Sequence, residues 1–142
     1  MNSISPTLLP QEEHNKKVVV EFYERMFAAR DISVADELIG DDYEQHNNVF
    51  IPPRREGFKK YFRRYFKTFP DTGTKIEKVC GEGEYVFLYA KHWAANKLFR
   101  VDYKVIDIYR VKNGILVEHW DTIEGIGFFS KFMYIIKSLL RL

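Results

Sequence analysis

The feature that most constrains the fold of this chain is a change of hydrophobic period at Pro70. Before Pro70, apolar residues recur every three or four positions in several segments, which is typical of amphipathic helices. After Pro70, apolar and polar residues alternate, which is typical of strands that bury one face. Asn113-Gly114 separates the last two alternating segments and indicates a β-hairpin. The pattern predicts an α+β fold, with helices packed on one face of a curved antiparallel sheet.

The same pattern divides the chain into one domain with two extensions. Predicted helices cover residues 12–30, 33–39 and 55–69, and predicted strands cover 74–80, 84–94, 99–111 and 115–124. Residues 40–54 show no period, so we expect an irregular crossing there. We predict a flexible N-terminus over 1–11, a folded domain over 12–125 and a basic amphipathic helix over 126–142.

The composition indicates a globular protein and argues against a nucleic-acid partner. Of the 142 residues, 46% are apolar and 30% are charged, and the net charge of +2 is too small to imply nucleic acid. The helix over 54–67 is strongly basic, but its aromatic residues all lie on the inner stripe. Its basic face therefore lacks stacking groups, and we interpret it as a solvated face.

Cysteine usage and the lack of targeting signals predict a cytoplasmic protein. Cys80 is the only cysteine, which excludes an intrachain disulfide and a cysteine-based metal cluster. No signal peptide precedes the first predicted helix, and no apolar run is long enough to span a membrane. A lone cysteine suits a reducing compartment.

The last two predicted strands direct ionisable side chains to one face. Alternation places Asp107 on the more apolar face of its strand, and places His119 and Asp121 together on the face that also carries Val117. A carboxylate on such a face is paired, protonated or chemically useful, because burying an unpaired charge costs several kcal/mol. Neighbouring titratable groups of this kind suit general acid/base catalysis. A structural role, in which Asp121 accepts hydrogen bonds from its neighbours, is the alternative.

Three stretches together resemble a known family. The predicted helix over 15–27, the Gln45-His46-Asn47 loop and the segment DIYRVKNGILVEHWD over 107–121 resemble the SnoaL-like polyketide cyclases of the nuclear-transport-factor-2-like superfamily. The resemblance covers residues 12–125. It implies a cone-shaped fold that encloses an apolar pocket, a homodimer, and no metal or organic cofactor. Characterised cyclases of the family use a pocket acid for proton transfer during an aldol closure, and the matching acid here is Asp121.

Four residues are predicted to carry the chemistry. Asp121 would move the proton, Asp107 or His119 would orient it, and His46 would donate a hydrogen bond at the pocket rim. The predicted pocket wall consists of Tyr23, Tyr43, Phe62, Phe66, Tyr103, Val105 and Val117. For its aromatic members, ordinary core packing is the alternative. The histidines lack the short spacing that is typical of metal ligands, so we expect no metal.

The sequence thus predicts a cofactor-free acid/base enzyme that acts on a small apolar carbonyl-type molecule. Cyclase, isomerase, dehydratase and hydrolase chemistry all remain open. The rival interpretation is a non-catalytic module that binds a small ligand or a protein. For the C-terminal helix, packing over the pocket mouth or in a dimer interface is favoured over contact of residues 128–142 with a membrane surface.

Overall fold

Helices cover one face of a sheet in the computed structural model, which describes residues 10–46 and 50–124 together with Phe132, Ile136, Leu139 and Leu140. The helices are α1 (Gln11–Tyr23), which continues into a π-helical turn (Glu24–Ala28), α2 (Val34–Leu38) and α3 (Arg54–Thr68). The strands are β1 (Ile39–Gln45), β2 (Asp71–Glu82), β3 (Tyr85–Ala95), β4 (Arg100–Lys112) and β5 (Ile115–Glu124). Apart from four isolated positions, the predicted C-terminal helix lies outside the described residues.

The strands form a five-stranded sheet within the described residues, in the order β1-β5-β4-β3-β2. Strands β2 to β5 form an antiparallel meander, whereas β1 pairs with β5 in parallel. The predicted α+β class, with helices on one face of a curved and mostly antiparallel sheet, is confirmed. The expectation of an irregular crossing over 40–54 is wrong for β1. Its central residues are polar and only Ile39 and Tyr43 are buried, so the strand has no visible alternation and depends on pairing with β5.

The core lies between the helices and the concave face of the sheet. From α1 and the π-helical turn, Val19, Phe22 and Met26 are fully buried. From α3, Phe58 packs against Phe22, with ring centroids 6.0 Å apart. These side chains belong to the apolar stripes that the helical period predicts, which explains why the helices lie on this face.

The hairpin between β4 and β5 forms at Asn113-Gly114. Both residues have positive φ, 50° and 74°, which the tight turn between twisted strands requires and which Asn and Gly tolerate best. A β-bulge follows, because Arg110 pairs with Glu118 while Val111 pairs with Leu116. Leu116, rather than Val117, therefore takes the fully buried position, and strict alternation holds only after the bulge.

No helix in the described part of the chain is both long enough and apolar enough to cross a bilayer.

Candidate active site

A cavity of about 90 Å³ lies between α1, α3 and the concave face of the sheet. Aromatic side chains form most of its wall, and polar groups enter from the sheet. The lining residues are Tyr23, Phe27, Ile51, Phe58, Tyr61, Phe62, Tyr65, Phe66, Thr72, Gly73, His92, Trp93, Tyr103, Val105, Asp107, Tyr109, His119, Asp121 and Ile123. The sheet register makes Asp107 and Asp121 direct cross-strand neighbours on β4 and β5.

The centre of the site is a buried pair of Asp107 and His119. Nε2 of His119 lies 2.6 Å from Oδ1 of Asp107, and the two residues are only 5% and 4% exposed. The imidazole ring stacks on Tyr109 at 4.3 Å with an interplanar angle of 11°, which fixes its orientation. A hydrogen bond this short to a carboxylate is among the stronger ones in proteins.

Tyr23 supplies a second donor to the same carboxylate. Its hydroxyl donates to Oδ2 of Asp107 at 2.7 Å and lies 2.6 Å from Nε2 of His92. Because a phenol has one hydrogen, and Asp107 receives it, Nε2 of His92 must be the donor to Tyr23. Burial lowers the pKa of His92 to about 4, with a partial offset from the charge of Asp107, so this imidazole is neutral at pH 7.

The network continues from His119 towards β1. Nδ1 of His119 lies 2.7 Å from Oε1 of Gln45, which also accepts a hydrogen bond from the Tyr43 hydroxyl at 2.9 Å. Both ring nitrogens of His119 thus face oxygen acceptors. Whichever ring nitrogen carries a hydrogen therefore has an oxygen acceptor in reach, and the contact with Asp107 fixes the ring against the carboxylate.

The two cavity carboxylates therefore differ in their surroundings. Asp107 is fully buried and engaged by His119 and Tyr23, so it is an acceptor with a fixed orientation. Asp121 is only half-buried and lines the cavity. Its charge reaches Tyr61 on α3, where burial, with a smaller contribution from Asp121, raises the pKa of the phenol to about 12. Of the two acids, Asp121 is the better placed to exchange a proton with a bound molecule.

A pair of tyrosine hydroxyls lies among the same lining residues. Oη of Tyr65 on α3 lies 2.9 Å from Oη of Tyr103 on β4. Burial raises the pKa of both phenols, so both keep their hydrogens at neutral pH. Their mutual contact uses one hydroxyl hydrogen and leaves the other to donate to an oxygen atom in the cavity.

Two groups of side chains in the described residues have the composition of metal ligands. Asp107, His119 and Asp121 form one group, and Glu44, His46 and Glu118 form the other; within each group the ligand atoms lie within 4.8 Å of one another. In the first group, Asp107 and His119 already bind each other at 2.6 Å. The expectation that no metal takes part stays a prediction.

The cavity contains Asp107, His119 and Asp121, and also the predicted wall residues Tyr23, Phe62, Phe66, Tyr103 and Val105.

Three predicted site residues lie elsewhere in the structure. His46 stacks on Trp120 at 4.4 Å, on the outer face of the sheet, with Nε2 3.3 Å from Glu118. The pairing of Gln45 with His119 turns the next residue outward, which corrects the placement of His46 at the rim. Val117 is displaced from the predicted face by the bulge.

Tyr43 is buried in the core and is not among the lining residues, so its placement in the pocket wall is also corrected. It reaches the site indirectly, through Gln45.

The sequence reasoning missed the contributions of Gln45 and His92. Gln45 belongs to the loop motif, but its amide does not titrate and so gave no sign of a site residue. His92 alternates along β3 with the buried residues Leu88 and Ala90, and this alternation was the available signal of its facing. Its contact with Tyr23, 69 residues away in sequence, had no local signal.

A family model and similar solved structures indicate the same protein family for this chain. A family model for the SnoaL-like domain matches residues 19–119. Similar solved structures include a candidate polyketide cyclase from Bacillus cereus ATCC 10987, with 21% identity, a TM-score of 0.72, and coverage of 86% of this chain and 83% of that chain. No curated protein matches the chain by sequence.

Two further structures extend the fold comparison. A candidate SnoaL-like polyketide cyclase from Jannaschia sp. CCS1 has 17% identity and a TM-score of 0.70, with 96% of each chain covered. AclR, a candidate hydroxylase from Streptomyces galilaeus, has 18% identity and a TM-score of 0.69, with 87% of each chain covered. At these identities the likeness concerns the fold, and the reaction must be argued from the site.

Proposed function

Because this chain belongs to the SnoaL-like domain family and has its nuclear-transport-factor-2-like fold, we propose that it is a cofactor-independent acid/base enzyme. The substrate we propose is a small apolar molecule with a carbonyl group. The main support is the cavity in which Asp121 lies beside the hydrogen-bonded pair of Asp107 and His119. The aromatic wall suits the apolar part of such a molecule, and the acids suit proton transfer.

In the proposed reaction, Asp121 is the general base. Its carboxylate takes a proton from the carbon beside the carbonyl group, and the C–H electron pair forms the double bond of an enolate. The carbonyl π electrons move to the oxygen, which accepts a hydrogen bond from the free hydroxyl hydrogen of the Tyr65–Tyr103 pair. The enolate carbon then attacks an electrophile in the same molecule, or a different carbon takes the proton back. Asp121 returns the proton in either case.

Asp107 and His119 act as positioning residues in this scheme. Their contact at 2.6 Å, together with the donation from Tyr23, fixes the polar floor of the cavity. A rigid floor holds the ligand at a fixed position relative to the Asp121 carboxylate. Correct placement of the reacting groups contributes much of the rate acceleration in such reactions. The neutral His92 holds the Tyr23 hydroxyl in the orientation that donates to Asp107.

The size of the cavity restricts the ligand. Its volume of about 90 Å³ is below the ~300–1,000 Å³ of ordinary ligand clefts. It therefore suits a compact ketone, or the reacting end of a longer molecule whose remainder extends through the mouth. A bulky polycyclic ligand does not fit without movement of the aromatic wall.

Exchange of α-protons for deuterium tests the proposal without a known substrate. Small ketones such as cyclopentanone are incubated in D₂O with the protein, and loss of the α-proton signal is followed by NMR. We expect exchange above the buffer rate with the wild type, and a loss of about 10²–10⁴-fold in Asp121→Asn. Asp102→Asn is the matched control, because Asp102 is an exposed carboxylate on β4.

Two outcomes would contradict the proposal. Equal exchange by the wild type and Asp121→Asn would remove Asp121 from the base role. If the wild type and Asp121→Asn both bind the small ketones but neither exchanges the α-protons of any ketone tested, the protein would be a non-catalytic binding module.

A homodimer through the outer face of the sheet is also proposed. On this face, Phe87, Ile108 and Trp120 are consecutive cross-strand neighbours, and the adjacent Ile106 is 50% exposed. An apolar stripe across three strands of a charged protein is typical of an interaction surface. We expect light scattering to give a dimer for the wild type and a monomer for Ile106→Lys, and a dimeric variant would contradict this interface.

A cytoplasmic location is proposed on chemical grounds. Cys80 is an exposed free thiol, and a reducing compartment keeps such a group reduced.

A further inference from the structure

The turn between β3 and β4 carries apolar side chains that point into solvent. Leu98 is 87% exposed and Phe99 is 51% exposed. The side-chain oxygen of Asn96 accepts hydrogen bonds from the backbone N–H groups of Leu98, at 2.8 Å, and Phe99, at 3.2 Å. The turn is therefore built to hold two large apolar side chains outward, which costs solvation unless another apolar phase receives them.

A continuous row of aromatic rings connects this turn to the cavity. The ring of Phe99 contacts that of Phe69 at 5.9 Å, and Phe69 contacts Tyr65 at 5.3 Å. Tyr65 lines the cavity, as does Trp93, two residues before the end of β3. The exposed tip therefore lies beside the part of the cavity wall that Tyr65 and Trp93 form, and aromatic rings join the two.

Uncompensated positive charge surrounds the tip. Lys60, Arg64 and Lys67 lie on one stripe of α3, at positions i, i+4 and i+7, and Lys97 lies in the turn itself. All four are exposed, and no carboxylate of the described residues lies within ion-pair distance of them. We call Leu98, Phe99 and these four cations the mouth surface.

Two cations at the other end of α3 are compensated. Arg55 and Lys59 lie within ion-pair distance of Asp36, so their charge is used within the protein. The C-terminal end of α3 instead meets the turn, where Nδ2 of Asn96 donates to the carbonyl oxygen of Thr68 at 3.4 Å. Close to the tip, Arg100 is paired with Asp102, so it adds little net charge. Arg64 and Lys67, near the end of α3, thus bring exposed positive charge to the end of the helix that meets the apolar tip.

We propose that the mouth surface docks on an anionic lipid bilayer. Leu98 and Phe99 enter the interfacial region, while Lys60, Arg64, Lys67 and Lys97 contact lipid phosphates. Both contributions to the binding free energy are favourable: burial of the apolar side chains in the interface, and attraction of the basic residues to an anionic leaflet. The cavity mouth then faces the membrane, and the aromatic row gives an apolar ligand a route from the bilayer to the site.

Charge complementarity favours an anionic bilayer on the mouth surface over the C-terminal segment or a second copy of the chain. Strand β5 ends at Glu124, which pairs with Lys104 near the start of β4, and residues 125–142 follow it in the sequence. That segment contains three basic residues and no Asp or Glu, so its side chains cannot neutralise the four cations. A second copy would present the same positive charge. An anionic lipid surface complements both the charge and the apolar tip.

Vesicle sedimentation with the full-length chain tests the proposal. The vesicles contain either phosphatidylcholine alone or equal parts of phosphatidylcholine and phosphatidylglycerol. We expect the wild type to sediment only with the anionic vesicles. The double change Leu98→Ser and Phe99→Ser should weaken binding by about tenfold or more. Each of Lys60→Glu, Arg64→Glu and Lys67→Glu should weaken it by at least about fivefold.

Controls separate the mouth surface from the C-terminal segment, which every variant retains. Lys17→Glu makes the same charge change on α1, where residue 17 is exposed, and should bind more tightly than Lys67→Glu. Leu98→Trp places a reporter at the tip, and brominated lipid should quench its fluorescence by a larger fraction than that of the wild type, which contains Trp93 and Trp120. The fluorescence that Lys17→Trp adds to the wild-type signal should not be quenched.

Three outcomes would overturn the docking proposal: no binding of the wild type to anionic vesicles, undiminished binding of the Leu98 and Phe99 double variant, or absence of quenching in Leu98→Trp. The second outcome would assign membrane binding to another part of the chain. None of these readouts measures turnover, so their failure leaves the proposed acid/base chemistry untouched.

Discussion

Acidification should weaken the fold through His92, independently of the chemistry of the site. Burial lowers the pKa of this imidazole from 6.5 to about 4 in the folded protein. In the unfolded chain the same group titrates near 6.5. Below pH 6.5 the unfolded state therefore binds a proton that the folded state does not bind. The free energy of unfolding consequently decreases as the pH is lowered. The loss continues until the folded state is protonated, near pH 4.

The magnitude follows from the difference between the two pKa values. Each pH unit between them corresponds to about 1.4 kcal/mol. Integration from pH 7 gives a loss of about 2 kcal/mol at pH 5 and about 3 kcal/mol at pH 4. Because a domain of this size has a total stability of about 5–15 kcal/mol, the effect is a large fraction of the whole.

Urea denaturation at several pH values, followed by circular dichroism, measures this loss. Carboxylates also titrate in this range, so the informative quantity is the difference between the wild type and His92→Gln. Glutamine keeps an N–H donor for the Tyr23 hydroxyl but does not titrate. We expect the wild type to lose about 3 kcal/mol more than His92→Gln between pH 7 and pH 4. The exposed His14 is the matched control, and His14→Gln should follow the wild type.

Equal losses in the wild type and His92→Gln would refute this reasoning. They would mean that the imidazole titrates normally in the folded protein and that water reaches it. An NMR titration of the His92 Cε1 proton gives an independent check, because a midpoint near 6.5 would contradict the structure directly.

Two further substitutions probe the polar floor and the mouth of the cavity. Tyr23→Phe removes a donor from Asp107 and an acceptor from His92, so we expect a loss of about 2–4 kcal/mol in urea denaturation. Gly73→Ala places a methyl carbon 1.9 Å from Cζ2 of Trp93, so the indole must move. We expect a changed near-ultraviolet circular dichroism spectrum and a loss of about 1–3 kcal/mol.

Matched controls exist for both changes. Tyr89 lies on the outer face of the sheet, and Tyr89→Phe should change stability by less than about 0.5 kcal/mol. A methyl carbon at Gly40 would lie 3.4 Å from its nearest neighbour, Cγ2 of Ile115, so Gly40→Ala should leave the spectrum unchanged. A Tyr23→Phe protein as stable as the wild type would contradict the proposed network, and an unchanged spectrum in Gly73→Ala would contradict the packing at the mouth.

Much of the fold was predictable because its signals are local. The change of period at Pro70 separated the helices from strands β2 to β5, and Asn113-Gly114 located the last hairpin. A hairpin turn fixes the pairing of the strands that it joins, so alternation correctly placed Asp107, His119 and Asp121 on one face. Even here the sequence predicted only which face the residues share. The bulge at Val117 could not be predicted, because the alternation of the sequence does not change there.

What the sequence by itself determined is the type of every helix and of strands β2 to β5, together with the side from which most of their residues project. The tertiary structure alone decided which groups meet: Tyr23 reaches Asp107 across 84 positions, and Gln45 reaches His119 across 74. Periodicity encodes burial, which each segment expresses without reference to the others. A hydrogen bond requires two particular atoms within about 3 Å, and that distance exists only after the helices have packed on the sheet.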